Sequence, residues 1–271
     1  MRLDGKLADR RGGIESATEK GKSSSKKSKR RQKKPLKAVQ TLFNTCKEVF
    51  ADGGAGTIPS QEDVRRLSSI LDTLGPENVG LNPNLPFFRC IDSERPPSIT
   101  YLHLYEDSKF SIGIFCLPKS AVIPLHNHPG MTVFGKLLFG SMHIKSYDWV
   151  DSESSEIVAP TEGLCLAKVK MDAVLKAPCE TSILYPASGG NMHRFTAVTS
   201  CAVLDVLGPP YSTPEGRVCT YYDDFPYSNS SGDTVLHGEV DGYAWLKARA
   251  EKPDDFTVGS AEYRGPKIVN K

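Results

Sequence analysis

The stretch Pro124–Met131, PLHNHPGM, decides how the chain is read. His126 and His128 stand one residue apart, and on an extended strand residues i and i+2 point to the same face, so the two imidazoles converge on one point. A small β-barrel offers neutral nitrogen ligands to a metal in this way. An isolated H-x-H is more often surface or core histidine, so the third histidine makes the difference. It lies in Tyr185–Phe195, YPASGGNMHRF, where Gly189-Gly190 makes a tight turn and His193 opens the next strand.

Period-two patterning surrounds both motifs. Ile99, Tyr101, His103 and Tyr105 alternate against Thr100, Leu102 and Leu104, and after a turn at Asp107-Ser108-Lys109 a second strand runs over 110–117. Further strands are expected at 131–134, 136–147, 164–169, 173–176, 181–185, 193–198, 201–207 and 217–222, separated by Pro, Gly, Ser and Asp clusters. Many short strands with few helices predict a mainly β protein, an antiparallel sandwich or barrel. Two amphipathic helices precede it. Val39, Leu42, Phe43, Cys46, Val49 and Phe50 form one apolar face; Ser60 caps a second helix whose face is Val64, Leu67, Leu71 and Leu74, stopped by Gly75-Pro76. The acidic stretch 151–156 reads as a surface loop, and 254–271 as a polar segment that wraps the surface or frays.

The chain has 271 residues, 39% of them hydrophobic, enough for a globular core. No run approaches the roughly 18 apolar residues of a membrane helix, and the N-terminus is charged where a signal peptide is apolar, so an intracellular protein without membrane contact is expected. The net charge of +2 conceals two unlike parts: residues 1–37 carry 14 Lys/Arg against 4 Asp/Glu, and the remainder carries 20 against 28. Residues 1–35 have too little apolar content to order a backbone and read as a disordered basic tail. Its densest tract, Lys26–Lys34 (KKSKRRQKK), suits a nuclear-import address, a plain solvated tail or a weak nucleic-acid contact. No aromatic residue interleaves those charges and no recognition-helix pattern accompanies them, which argues against nucleic acid as partner. The seven cysteines, at 46, 90, 116, 165, 179, 201 and 219, show no C-x-x-C spacing and read as reduced thiols.

The histidine motifs resemble those of the cupin superfamily, H-x-H followed after three or four residues by Glu and then by Gly, and P-x-G-x-x-H. Gly140 matches the closing Gly, and Gly190-Asn191-Met192-His193 matches the second motif, with Pro186 one residue further upstream. The Glu position falls on Thr132 or Val133, neither of which can serve as a charged ligand, and Ser120 stands at the leading Gly. Cupins with three histidines and no Glu resemble the thiol dioxygenases. The runs SITYLHLYEDSKFSIGIFCLP (98–118), PLHNHPGMTVFGKLLFG (124–140), PASGGNMHRF (186–195) and AVLDVLGPPY (202–211) are similar to plant cysteine oxidases and their animal relative, cysteamine dioxygenase. The resemblance implies a double-stranded β-helix (jelly-roll barrel) with two N-terminal helices packed on it: a helical preamble over 36–75, a barrel over about 85–225 and a C-terminal wrap over 226–271. It also implies an Fe(2+) enzyme with ligands His126, His128 and His193, which adds both atoms of O2 to the N-terminal cysteine of a protein. The product is cysteine sulfinic acid, the oxygen-sensing signal of the plant N-degron pathway. Transcription factors of the ERF-VII type are the implied partners, a monomer the implied state, and nucleus and cytoplasm the implied locations.

Asp205 is a lone carboxylate in the apolar run CAVLDVLG, and a buried charge requires a partner. The resemblance gives it the α-amine of the substrate cysteine; the alternative is a structural ion pair. If a two-residue turn at Thr199-Ser200 joins two paired strands, Asp205 falls opposite Arg194; with an odd turn or a bulge it falls opposite His193. Tyr211, Cys219 and Tyr221 also match family positions near the site, the last two associated with gating or a thioether cross-link. His103 and His143 read as structural histidines and His237 as a surface residue. Two alternatives to the protein-cysteine oxidase stay open: a dioxygenase of a small aminothiol (cysteamine or free cysteine) and a non-catalytic metal-binding cupin module. An enzyme for free cysteine needs a cation for the substrate carboxylate, usually Arg.

Overall fold

The structure, a computed structural model, describes residues 34–89, 96–150, 162–227 and 242–270. Residues 1–33 of the expected basic tail, the acidic loop at 151–156, Cys90 and His237 lie outside the described residues, and α1 takes in the last two residues assigned to the tail. Helices α1 (Lys34–Val49) and α2 (Gln61–Asp72) come first. The strands follow: β1 (Ile99–Glu106), β2 (Ser111–Leu117), β3 (Val122–His126), β4 (Thr132–Phe139), β5 (Ser141–Trp149), β6 (Leu164–Lys176), β7 (Ser182–Leu184), β8 (Met192–Ala197), β9 (Cys201–Gly208), β10 (Tyr222–Pro226), β11 (Tyr243–Ala248) and β12 (Val258–Ala261). They form two six-stranded sheets, ordered β12-β1-β2-β9-β4-β7 and β10-β11-β6-β5-β8-β3. All pairings are antiparallel except β1 with β12. This is a double-stranded β-helix, the jelly roll that the family resemblance implied.

The central strands of the first sheet, β2, β9 and β4, are buried on both faces, because their alternate residues serve different cores. Ile112, Ile114, Phe134, Leu138, Leu204 and Val206 pack against the helical layer, where all six apolar positions expected of α1 are buried with Leu67, Leu71 and Leu74 of the α2 face. Each such side chain contributes about 1.5–3 kcal/mol by leaving water. The opposite face, with Leu117, Leu137 and Val203, closes the barrel interior against Met142, Ile144, Phe195 and Ala197 of the second sheet. Double burial explains why every residue of β9 is buried. Ser60 caps α2, its hydroxyl accepting the Asp63 N–H at 3.1 Å.

Several strand boundaries differ from the sequence expectation. The break falls at Gly140 rather than Gly135: Gly140 has φ +82° and a Cβ there would lie 2.3 Å from the Ser200 carbonyl, whereas Gly135 runs on inside β4. The expected strands at 164–169 and 173–176 are one continuous strand, β6. In place of a strand over 217–222, a looser segment makes single bridges before β10 begins at Tyr222. β11 and β12 lie in the C-terminal wrap expected over 226–271, and β12, within the segment expected to wrap or fray, joins the first sheet beside β1. Ser120 keeps the left-handed backbone of the glycine it replaces, φ 67°.

Candidate metal centre

β3 ends at His126, and β8 places His193 directly opposite it in the antiparallel ladder. His128 follows in the turn after β3. The three rings pack with centroids 4.8–4.9 Å apart, and their ligand atoms all lie within 4.8 Å of one another. All three are buried, and His128 Nε2 stands 3.0 Å from His193 Nε2, so both nitrogens aim at one point. Burial holds all three imidazoles below their ordinary pKa, most strongly His128 and His193, which the neighbouring histidines depress further. They are neutral at physiological pH, the form that binds a metal.

Neighbouring groups select the tautomers. His126 Nδ1 donates to the Pro124 carbonyl at 2.8 Å, leaving Nε2 as the lone-pair nitrogen. The Tyr211 hydroxyl donates to the Asn127 carbonyl at 2.8 Å and therefore accepts from His128 Nδ1 at 3.0 Å, which again frees Nε2. A buried set of three neutral nitrogens fits a transition-metal ion and leaves its positive charge uncompensated by the protein. Neither residue at the usual Glu position alters this. Thr132 turns its hydroxyl to the Thr57 carbonyl at 3.3 Å, and Val133 lines the barrel cavity.

The cavity beside the triad is lined by His193 and Asp205 together with Val133, Leu137, Ile144 and Phe195. Asp205 thus faces the interior, and the pairing with Arg194 does not form. Both registers considered from sequence assume that β8 and β9 are hairpin partners. They sit in opposite sheets, β8 between β3 and β5, β9 between β2 and β4. The crossover is stapled to Ser141, whose carbonyl accepts the N–H groups of Val198 and Thr199 at 3.0 and 3.1 Å. Arg194 pairs instead with Asp224 at 3.5 Å. Asp205 is flanked in the sheet by two glycines, Gly113 and Gly135. A Cβ at Gly135 would come 3.2 Å from Asp205 Oδ1, so glycine keeps the carboxylate open to the cavity. Burial pushes its pKa up to about 7.

Tyr211, Cys219 and Tyr221 gather beside the triad. The Tyr221 ring centroid lies 6.3 Å from that of His126, and the Cys219 thiol is within hydrogen-bonding reach of both phenols. Burial, reinforced by the Cys219 thiol, holds the Tyr211 phenol well above its ordinary pKa, so it stays a donor. His103 is exposed, and His143 meets Asp172 at 2.6 Å; neither joins the triad. The six described cysteines are free.

The sequence reading missed the groups that brace the ligands. Asn127, between the two histidines, accepts the Thr220 N–H at 2.8 Å and donates to the Tyr222 hydroxyl at 3.2 Å, tying the 219–222 segment to the site. Asn191 and Asp148 hold the turn before His193. The position of Asn127 inside H-x-H was a usable signal; Asp148, 45 residues before His193, offered none.

Comparison with known proteins gives the same picture. The PCO_ADO family profile matches residues 70–268. Plant cysteine oxidase 2 of Arabidopsis thaliana is 59% identical over 249 residues, covering 91% of this chain and 89% of that protein. Plant cysteine oxidase 1 of the same plant is 58% identical, covering 86% and 81%. The 2-aminoethanethiol dioxygenase of Mus musculus is 31% identical, covering 80% and 90%. A glutamate-free triad in a jelly roll, matched along most of its length, places the chain in the PCO_ADO family of thiol dioxygenases.

Proposed function

We propose that this enzyme uses iron(II) and O2 to oxidise the N-terminal cysteine of a protein to cysteine sulfinic acid. The observation that carries the reading is the cavity wall: Asp205 shares it with His193, and among the described lining residues there is no Arg or Lys. A substrate amine finds a carboxylate there, whereas the carboxylate of free cysteine finds no cation. In a polypeptide that carboxylate has become an amide and needs none.

Iron(II), when bound by His126, His128 and His193, supplies a redox-active Lewis acid that brings thiolate and O2 into one electronic system. The chain's own residues prepare the partners. Asp205, at a pKa of about 7, takes and holds a proton near neutrality and orients the α-amine. Tyr211 fixes the His128 ring, and the apolar lining keeps bulk water from the reacting sulfur. The overall step balances without another reductant: the sulfur gives up four electrons, O2 takes four, and both oxygen atoms enter the product.

By family likeness the substrates are transcription factors of the ERF-VII type, and the oxidation feeds the N-degron pathway in hypoxia sensing. The enzyme acts as a monomer, and the tract Lys26–Lys34 supports partition between nucleus and cytoplasm. The test is mass spectrometry of a short peptide beginning with Cys, incubated with the iron-loaded enzyme under O2. A gain of two oxygen atoms is expected, with a rate that rises with O2. Reaction of cysteamine or free cysteine alone would replace this reading with that of a small-aminothiol dioxygenase. No reaction at full iron occupancy would leave a metal-binding module.

A further inference from the structure

The turn that launches β8 is gripped by a carboxylate outside the triad. Asp148, near the end of β5, accepts the N–H groups of three consecutive residues, Gly189 at 3.0 Å, Gly190 at 2.7 Å and Asn191 at 3.3 Å. Three successive amides can face one anion because Gly189 and Gly190 both adopt left-handed backbone, φ +85° and +86°. Side chains are excluded there as well: a Cβ at Gly190 would come 2.5 Å from Ser146 Oγ, and one at Gly189 would come 2.9 Å from the Ile183 carbonyl.

Asn191 carries the constraint onward. Its buried side chain accepts the His128 N–H at 3.0 Å and donates to the His128 carbonyl at 2.9 Å and to the Tyr185 carbonyl at 2.8 Å. The backbone of His128 is therefore held on both sides by one amide group, and His193 follows two residues later on the same strand. Sheet pairing cannot do this work. The β5–β8 ladder ends at Tyr147 opposite Met192, one residue short of Asp148, and His128 lies beyond the last β3–β8 pair, His126 with His193.

We propose that Asp148 and Asn191 act as one positioning clasp for the metal centre: the Asp148 charge sets the turn, and Asn191 passes that position to His128. Ligands from two separate segments are thereby kept in register. The inference rests on the three-histidine metal reading. The chemistry requires these residue types. A carboxylate accepts through both oxygens, whereas an Asn at 148 would offer one acceptor and turn an NH2 toward the amides. An Asp at 191 would keep the acceptor for the His128 N–H and lose both donated bonds.

The test titrates Co(II) into metal-free full-length protein, wild type and Asp148→Asn, following visible absorption and recording thermal unfolding of the metal-free samples. The Co(II) dissociation constant is expected to rise about 10- to 100-fold, as for other outer-sphere partners, with a changed absorption band shape and cooperative unfolding retained. Asn191→Asp moves affinity the same way and provides the reading should Asp148→Asn not fold. The double variant loses no more affinity than the weaker-binding single variant, because the two residues act in series. Wild-type Co(II) affinity and spectrum in a folded variant, with only the unfolding temperature lowered, would confine the clasp to a role in folding and overturn the proposal. Failure of the wild type to bind Co(II) would instead remove the metal reading on which it rests.

Discussion

Replacing Asp205 by Asn in the metal-free protein measures what the fold spends to keep a carboxylate in the barrel. An Asp in an unfolded chain titrates near about 3.9, and burial lifts Asp205 to about 7. At 1.36 kcal/mol per tenfold, that difference corresponds to about 4 kcal/mol, an upper bound because relaxation of the surrounding protein offsets part of the cost of burying the charge. The folded pKa is the higher one, so the folded state holds the proton more tightly. Stability from this group is complete below about pH 4 and is lost as pH rises through about 7. Asp205→Asn removes the titration while keeping the shape. Urea unfolding of metal-free wild type and variant from pH 4 to 8 is expected to show the wild type losing up to about 4 kcal/mol relative to Asp205→Asn. In the iron-loaded enzyme the variant keeps its metal and loses turnover. A stability difference independent of pH would refute the reasoning, since the carboxylate would then have a compensating partner when folded.

Two further changes test the ligand brace and the helical layer. Tyr211→Phe removes the oxygen that accepts from His128 Nδ1, and a loss of metal affinity of about 10- to 100-fold is expected by competition against a chelator; unchanged affinity would mean that His128 needs no orienting partner. Leu67→Ala empties a fully buried site between α2 and the first sheet and should cost about 2–5 kcal/mol in urea unfolding with the iron content of the folded protein unchanged. A cost under 1 kcal/mol would show that the helices are not part of the cooperative core.

The local patterns were legible because they depend on neighbours in the chain. The α1 and α2 faces follow a helical period, and the apolar residues it marks are buried, except for Val64, which is partly so. The three ligands stand in short motifs with their own turn chemistry, so PLHNHPGM and GGNMH could be read as a site before any fold was known. Boundaries were harder where a glycine serves a distant partner. Gly135 looked like a strand break, yet it is there to clear space for Asp205, 70 residues later.

By itself, then, the sequence determined the β-rich class and the helical preamble, which rest on spacing along one segment, and it marked the three histidines in two short motifs whose joint role came from the family resemblance. Only the tertiary structure decided which way Asp205 faces. The answer turned on β8 and β9 entering opposite sheets, a choice made by the staple of residues 198 and 199 onto Ser141 rather than by any alternation within the strands. The same holds for Tyr211 on His128 and Asp148 under the glycine turn. A hydrogen bond between groups 42 or 83 residues apart leaves no periodic trace in a chain, and it exists only once two closed sheets have brought its ends together.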